Sequence, residues 1–227
     1  MSTNVSRETP APPPGAQQLF GPRWPKLLRY AELLTTEGTV RGLIGPGETT
    51  RLWDRHILNC AQIAPAFGQD ISVCDIGSGA GLPGVVLALA RPDLEVTLLE
   101  PRKRRSAFLE EVVEDLALPD VQVVRARAEE LGGAGFDAAV ARAVAPLDRL
   151  ARWALPLCRP GGTLVAMKGT AAKAELASAR ETLDRLGVRS ARVRELSISP
   201  EWSGVLAVEV VAGETVRAGA GRRRRRG

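Results

Sequence analysis

Residues 71–84 read ISVCDIGSGAGLPG. A β-branched start, Ile71 to Val73, leads to Asp75. Glycines follow at 77, 79, 81 and 84, and then apolar residues at helical spacing. That order predicts a buried strand, a tight turn and the start of a helix. Glycines there let the backbone take positive φ and let a ligand approach closely. The helix start beyond offers free N–H groups, and Pro83 suits its first turn, where a missing N–H costs little. The stretch predicts a nucleotide-type cofactor site in an α/β sheet.

Outward from this turn the chain alternates between strand and helix patterns. Upstream, apolar residues at 24, 27, 28, 31 and 34 predict an amphipathic helix from Trp24 to Glu37, ended by Gly38. A turn-rich GLIGPG stretch precedes a second helix from Glu48 to Ala64. Downstream, strands are expected at 71–76, 94–100, 121–124, 136–141, 163–168, 189–195 and 205–211. Helices are expected through Ala90 and at 102–117, 147–156 and 171–186. The short loop between the last two strands reads as an antiparallel hairpin. The expected fold class is therefore α/β, a doubly wound, Rossmann-like, mostly parallel seven-stranded sheet with an N-terminal helical cap. Residues 1–22 read as a disordered lead-in, 23–68 as the cap, 69–213 as the main domain and 214–227 as a disordered basic tail.

Charge and cysteine usage narrow the function classes. Of 31 basic residues 27 are Arg, and the net charge of +5 is matched by the five arginines Arg222 to Arg226. The basic excess therefore sits in a tail whose attraction to phosphates would be nonspecific and salt-dependent. Cys60, Cys74 and Cys158 lie far apart in apolar surroundings, which fits reduced thiols. With a single histidine, no metal centre is expected. No apolar run reaches the length of a membrane span, and the proline-rich start lacks the pattern of a signal peptide. The expected location is the cytoplasm, with no membrane partner.

Two cofactors compete for the turn. Gly79 to Gly84 matches the GxGxxG dinucleotide fingerprint, and Glu100 lies 19 residues beyond Gly81, where a carboxylate can hold ribose hydroxyls of either cofactor. Other features favour S-adenosylmethionine. Asp75 gives a D-x-G-x-G-x-G order that resembles the first motif of class I methyltransferases. Leu155 to Lys168 (LPLCRPGGTLVAMK) resembles their Pro-Gly-Gly turn and fifth strand. No residue set suggests hydride chemistry. In this reading Gly77, Gly79 and Gly81 give a bare backbone surface, and Asp75 either faces the donor's ammonium or caps the turn.

For the acceptor, no cysteine lies where a nucleophile after the fourth strand would sit. The loop there reads Ala141-Arg142-Ala143-Val144-Ala145-Pro146, without the polar-Pro-Pro-aromatic element usual for exocyclic amines. A ring nitrogen with a free lone pair, such as guanine N7, needs no general base, so positioning can suffice. At this point the chain resembles the RsmG (GidB) family of bacterial 16S rRNA methyltransferases, which act on a guanine N7. The resemblance runs from Arg51 to Val210. It rests on Arg51 to Asn59 (RLWDRHILN), the Asp75–Gly84 block, Arg102 to Arg105 before Phe108-Leu109, Arg127 to Glu130, Arg142-Ala143 and Met167 to Gly169. The first 40 residues match poorly.

The resemblance implies that Gly77 and Leu82 line the cofactor, that Ala128 and Glu129 lie near its adenine, and that Arg142 stands at the bound ligand. His56 and Lys168 are further acceptor-side candidates, each with a purely structural alternative. The implied partner is 16S ribosomal RNA or the small-subunit precursor, met by a monomer. The rivals are a small-molecule methyltransferase, an NAD-binding protein and a noncatalytic RNA-binding module.

Overall fold

The computed structural model describes residues 11–133 and 135–214. Seven strands form one sheet: β1 (Ser72–Ile76), β2 (Glu95–Leu99), β3 (Val121–Val124), β4 (Phe136–Arg142), β5 (Cys158–Met167), β6 (Ser190–Leu196) and β7 (Val205–Val211). Their spatial order is β3-β2-β1-β4-β5-β7-β6. The first five run parallel, while β7 lies antiparallel to both β5 and β6, as the hairpin reading expected. The strand order reverses between β1 and β4. In open parallel sheets that reversal leaves a crevice outside the carboxyl ends of the strands.

Alternation along β1 shows how the sheet is buried on both faces. Val73 joins the core that holds Val96, Leu98, Val140 and Val165, and Cys74 joins the opposite core with Leu99, Ala139 and Leu164. This is the two-residue period of a strand covered on both sides. The first core takes the helices α1 (Ala16–Phe20), α2 (Trp24–Leu33), α3 (Asn59–Ala61), α4 (Gly84–Ala90) and α5 (Lys103–Asp115). The second takes α6 (Ala128–Leu131), α7 (Leu147–Ala154) and α8 (Ala172–Arg185). The N-terminal helices thus share one continuous core with α4 and α5.

Four expectations need correction. The lead-in is not disordered to residue 22: α1 forms at Ala16–Phe20, with Ala16 and Phe20 buried against the first core. The prolines before it hid a short apolar anchor. The single helix expected from Glu48 to Ala64 is a series of tighter and wider turns. A 3₁₀ segment spans Pro46–Arg51, a π-type segment spans Leu52–Leu58, and α3 and a further short turn, Ala64–Ala66, follow. The fifth strand begins at Cys158, not at 163. The pairing jumps from Phe136–Cys158 to Ala138–Thr163, so the exposed Arg159 to Gly161 segment bulges from a strand already begun. Pro83 stands just before α4, not inside its first turn. The arginine tail at 222–226 and residues 1–10 lie outside the described residues.

Candidate active site

The carboxyl end of β1 turns sharply. The N–H groups of Gly77 and Ser78 both donate to the carbonyl of Leu99 at the end of β2, at 2.8 and 3.2 Å. Gly77, Gly79 and Gly81 all take positive φ. At Gly79 a side chain would meet no atom closer than 3.8 Å, so that position leaves bare backbone open toward the cleft. Gly84 needs its lack of a side chain for a different reason. A Cβ there would lie 2.3 Å from Leu98 Cδ2 and 2.7 Å from Asp75 Oδ2.

That close approach explains Asp75. Its Oδ2 accepts the Gly84 N–H at 3.0 Å at the start of α4, where the helix macrodipole favours a carboxylate. The side chain is buried and its Oδ1 has no hydrogen-bond partner. Burial pushes its pKa up to about 7, with the Gly84 N–H opposing. Asp75 therefore ties the strand to the helix behind the turn, and it does not line the cleft. Glu100 does. Its Oε2 accepts the Gly79 N–H at 3.0 Å and its Oε1 the Arg102 N–H at 2.9 Å. The Arg105 guanidinium stands 3.9 Å from the same carboxylate.

These groups edge a cleft of about 1070 Å³ at the strand reversal. Its other end is Arg142, the last residue of β4, paired in register with Met167 at the end of β5. Arg142 Nη1 donates to the carbonyl of Arg55 at 3.2 Å, and Nη2 lies 3.0 Å from His56 Nδ1. His56 Nε2 is 2.9 Å from Glu48 Oε2. Ala143, next in the chain, has φ +55°, a left-handed conformation uncommon for a residue with a Cβ. Such strain concentrates at functional sites.

Comparison with known proteins agrees with this architecture. A family profile described as "GidB: rRNA small subunit methyltransferase G" matches residues 23–201. The chain belongs to the GidB family. One relative, named ribosomal RNA small subunit methyltransferase G, from Nocardioides sp., is 52% identical over 93% of this chain and 85% of its own. Another of the same name, from Salinispora tropica, is 57% identical over 78% of each chain. Among solved structures, a predicted O-methyltransferase from Agrobacterium tumefaciens superposes with a TM-score of 0.56 at 18% identity. It covers 70% of this chain and 81% of that one, a likeness of fold. The GidB match starts at residue 23, so it includes N-terminal residues in which the sequence motifs are not evident.

In this GidB chain Gly77, Gly79, Leu82, Glu100, His56 and Arg142 share the one cleft. Asp75 and Gly81 lie behind its surface. Ala128 is buried in the second core, Glu129 is exposed, and neither is among the cleft-lining residues. Lys168 is largely engaged elsewhere. It lines an adjoining hollow of about 560 Å³, forms an ion pair with Glu175 Oε2 at 2.9 Å and donates to the Ala145 carbonyl. Glu175 Oε2 also accepts the Leu147 N–H at 2.8 Å, so the pair pins the loop that follows Arg142. These contacts are the ones the structural alternative for Lys168 calls for.

Tyr30 and Glu48 were not singled out from sequence. The Tyr30 hydroxyl, fully buried, donates to the Ala80 carbonyl inside the glycine turn at 2.8 Å. Burial raises its pKa well above that of a free phenol, so it stays a donor. Its signal was present, because Leu27, Tyr30, Ala31 and Leu34 follow the spacing of one buried helix face. Glu48 carries no comparable local signal. All three cysteines are free and buried, and burial pushes the Cys60 thiol up to about 11, as expected for inert core thiols. Among the described residues no acidic, histidine or cysteine cluster suits a metal, and no helix is long and apolar enough to cross a membrane.

Proposed function

We propose that this chain transfers a methyl group from S-adenosylmethionine to N7 of a guanine in 16S ribosomal RNA, acting on the RNA or the small-subunit precursor in the cytoplasm. The observation that carries the reading is the cleft at the strand reversal, with a glycine turn and Glu100 at one end and a held arginine at the other, in a member of the GidB family.

The residues present fit the donor. Gly77 and Gly79 offer side-chain-free backbone, and Leu82 adds an apolar wall. Each Glu100 oxygen accepts one backbone N–H and keeps lone-pair capacity for another donor, so the carboxylate suits the two hydroxyls of a ribose. Asp75 stabilises the start of α4 and, through it, the shape of the turn. Adenine would reach toward the β3 end, where Ala128-Glu129 follows, through main-chain contacts since Ala128 is buried.

When bound, the donor supplies an electrophilic methyl on a sulfonium. The guanine N7 lone pair forms the new N–C bond as the S–C bond breaks, and the positive charge passes to the purine. No proton leaves N7, so the chain needs no general base there. Its task is to hold the acceptor in line at about 3 Å. Arg142 has five N–H groups, of which two are engaged, leaving three for the nucleotide's oxygens. RNA readers favour unpaired bases, which also lowers the cost of bringing one into the cleft.

The test is incubation of the full chain with methyl-labelled donor and unmodified 16S RNA or small subunits. The modified position is then mapped by chemistry that cleaves at N7-methylguanine. Label at a single guanine supports the reading. Label confined to small molecules, or binding of NAD in preference to the sulfonium donor, overturns it.

A further inference from the structure

Arg142 is not free to choose its pose, and the groups that restrain it form an ordered chain. A guanidinium has only N–H donors. The 3.0 Å contact between Arg142 Nη2 and His56 Nδ1 is therefore a hydrogen bond only when Nδ1 carries a lone pair. The ring proton must then sit on Nε2, where it faces Glu48 Oε2 at 2.9 Å. Glu48 thus selects the one tautomer that can hold Arg142. The carbonyl of Arg55 takes the other arm at 3.2 Å, so the guanidinium is gripped at both terminal nitrogens.

We propose that Glu48 is a positioning residue for the acceptor: through His56 it fixes the Arg142 guanidinium at the wall of the cleft. The inference rests on the reading of Arg142 as an acceptor contact. Stability does not explain the arrangement. Glu48 is one-third exposed, and its ion pair with Arg55, at 3.4 Å, joins two solvent-facing side chains. Pairs of that kind contribute little to folding. His56, between Glu48 and Arg142, is only 13% exposed and is the part that must stay neutral.

The charges facing His56 set the sign of its pH response. Glu48 from the 46–51 turn favours the imidazolium, while Arg142 from β4 and Arg55 on its own segment disfavour it. Burial, the largest cause, and the Arg142 charge hold the pKa below the usual histidine value. Near neutral pH the ring accepts from Arg142. In acid, Nδ1 gains a proton, two donors face each other and the grip on Arg142 is lost.

The experiment compares Glu48→Ala, Glu48→Gln, Arg142→Ala and the Glu48→Ala/Arg142→Ala double variant. It measures kcat and KM for small-subunit RNA across pH and, separately, donor affinity by calorimetry. Misplacing a positioning group by an ångström costs up to about a hundredfold, so Glu48→Ala should lose about tenfold or more in kcat/KM for RNA. Donor affinity should be unchanged. Glu48→Gln keeps an acceptor for Nε2–H and should restore most activity at neutral pH. Its acid limb should move to lower pH, because the charge that favoured the imidazolium is gone. The double variant should lose no more than Arg142→Ala alone, since both act through one contact. Wild-type kcat/KM in Glu48→Ala beside a large loss in Arg142→Ala overturns the proposal and leaves the acceptor site standing. Additive losses in the double variant overturn it too. Wild-type activity in Arg142→Ala removes the acceptor reading itself.

Discussion

Replacing Asp75 by asparagine isolates the buried carboxyl that ties β1 to α4. The change is nearly isosteric, which the site requires: Leu98 and Asp75 crowd Gly84 so closely that no added atom is tolerated there. Asparagine keeps an oxygen for the Gly84 N–H and removes the ionisable group. In the folded protein burial raises the Asp75 pKa from 3.8 to about 7. The folded state therefore holds a proton that the unfolded chain has released, and stability from this group is complete below the unfolded value and lost as pH rises through the folded one. Each pH unit of difference is worth about 1.4 kcal/mol. From about pH 5 to about pH 8 the group alone withdraws about 3 kcal/mol. Other groups are shared by the two proteins, so the quantity to follow is the difference between them. Urea unfolding at several pH values should show Asp75→Asn gaining on the wild type by about 3 kcal/mol across that interval. A difference independent of pH would refute the account of Asp75 as a buried, half-paired carboxyl behind the turn.

Two further substitutions probe the supports of the cleft. Tyr30→Phe removes the donor to the Ala80 carbonyl and should cost about 1–2 kcal/mol in stability, with weaker donor binding by calorimetry because the glycine turn loses its brace. Lys168→Met leaves Glu175 without its cation and the Ala145 carbonyl without a donor. It should lower stability by about 2 kcal/mol, discounted for the partial exposure of Glu175, and raise KM for RNA through the loosened loop after Arg142. A loss of RNA binding with unchanged stability would instead make Lys168 a phosphate contact.

Most of the strands were legible because they are short, largely apolar runs set off by turns, β6 with its Arg192, Arg194 and Glu195 being the exception in composition. The 48–64 segment was not. A π-type widening leaves the apolar spacing almost unchanged, so the pattern could not reveal that Leu52–Leu58 departs from an ordinary helix. Helix α6 spans four residues, too few for any period to show. Within the site, the glycine turn is a local feature, and Gly77, Gly79, Leu82 and Glu100 fell where the sequence placed them relative to the cleft. For Asp75 the motif left two roles open, a contact with the donor and a cap on the turn. Its actual partner is fixed by how closely Gly84 lets α4 approach the strand, a distance no motif encodes.

The two ends of the cleft thus have different origins. In the proposed reading the donor end is drawn mainly from residues 72–100, folded as one strand-turn-helix-strand unit, and it can be read from a single stretch. The proposed acceptor end exists only where β4 meets the N-terminal layer: Arg142 contacts Arg55 and His56 across 87 and 86 residues of chain. The same layer reaches the donor end through Tyr30, 50 residues from Ala80. Buried apolar residues of α2 and of the 52–58 segment share one core with α4 and β1, so Tyr30 and His56 stand on a common packed base. Close-packed cores do not deform smoothly. A shift of the N-terminal layer therefore displaces the brace on the glycine turn and the grip on Arg142 together, which makes this layer part of the cleft itself and not a lid added to a finished sheet.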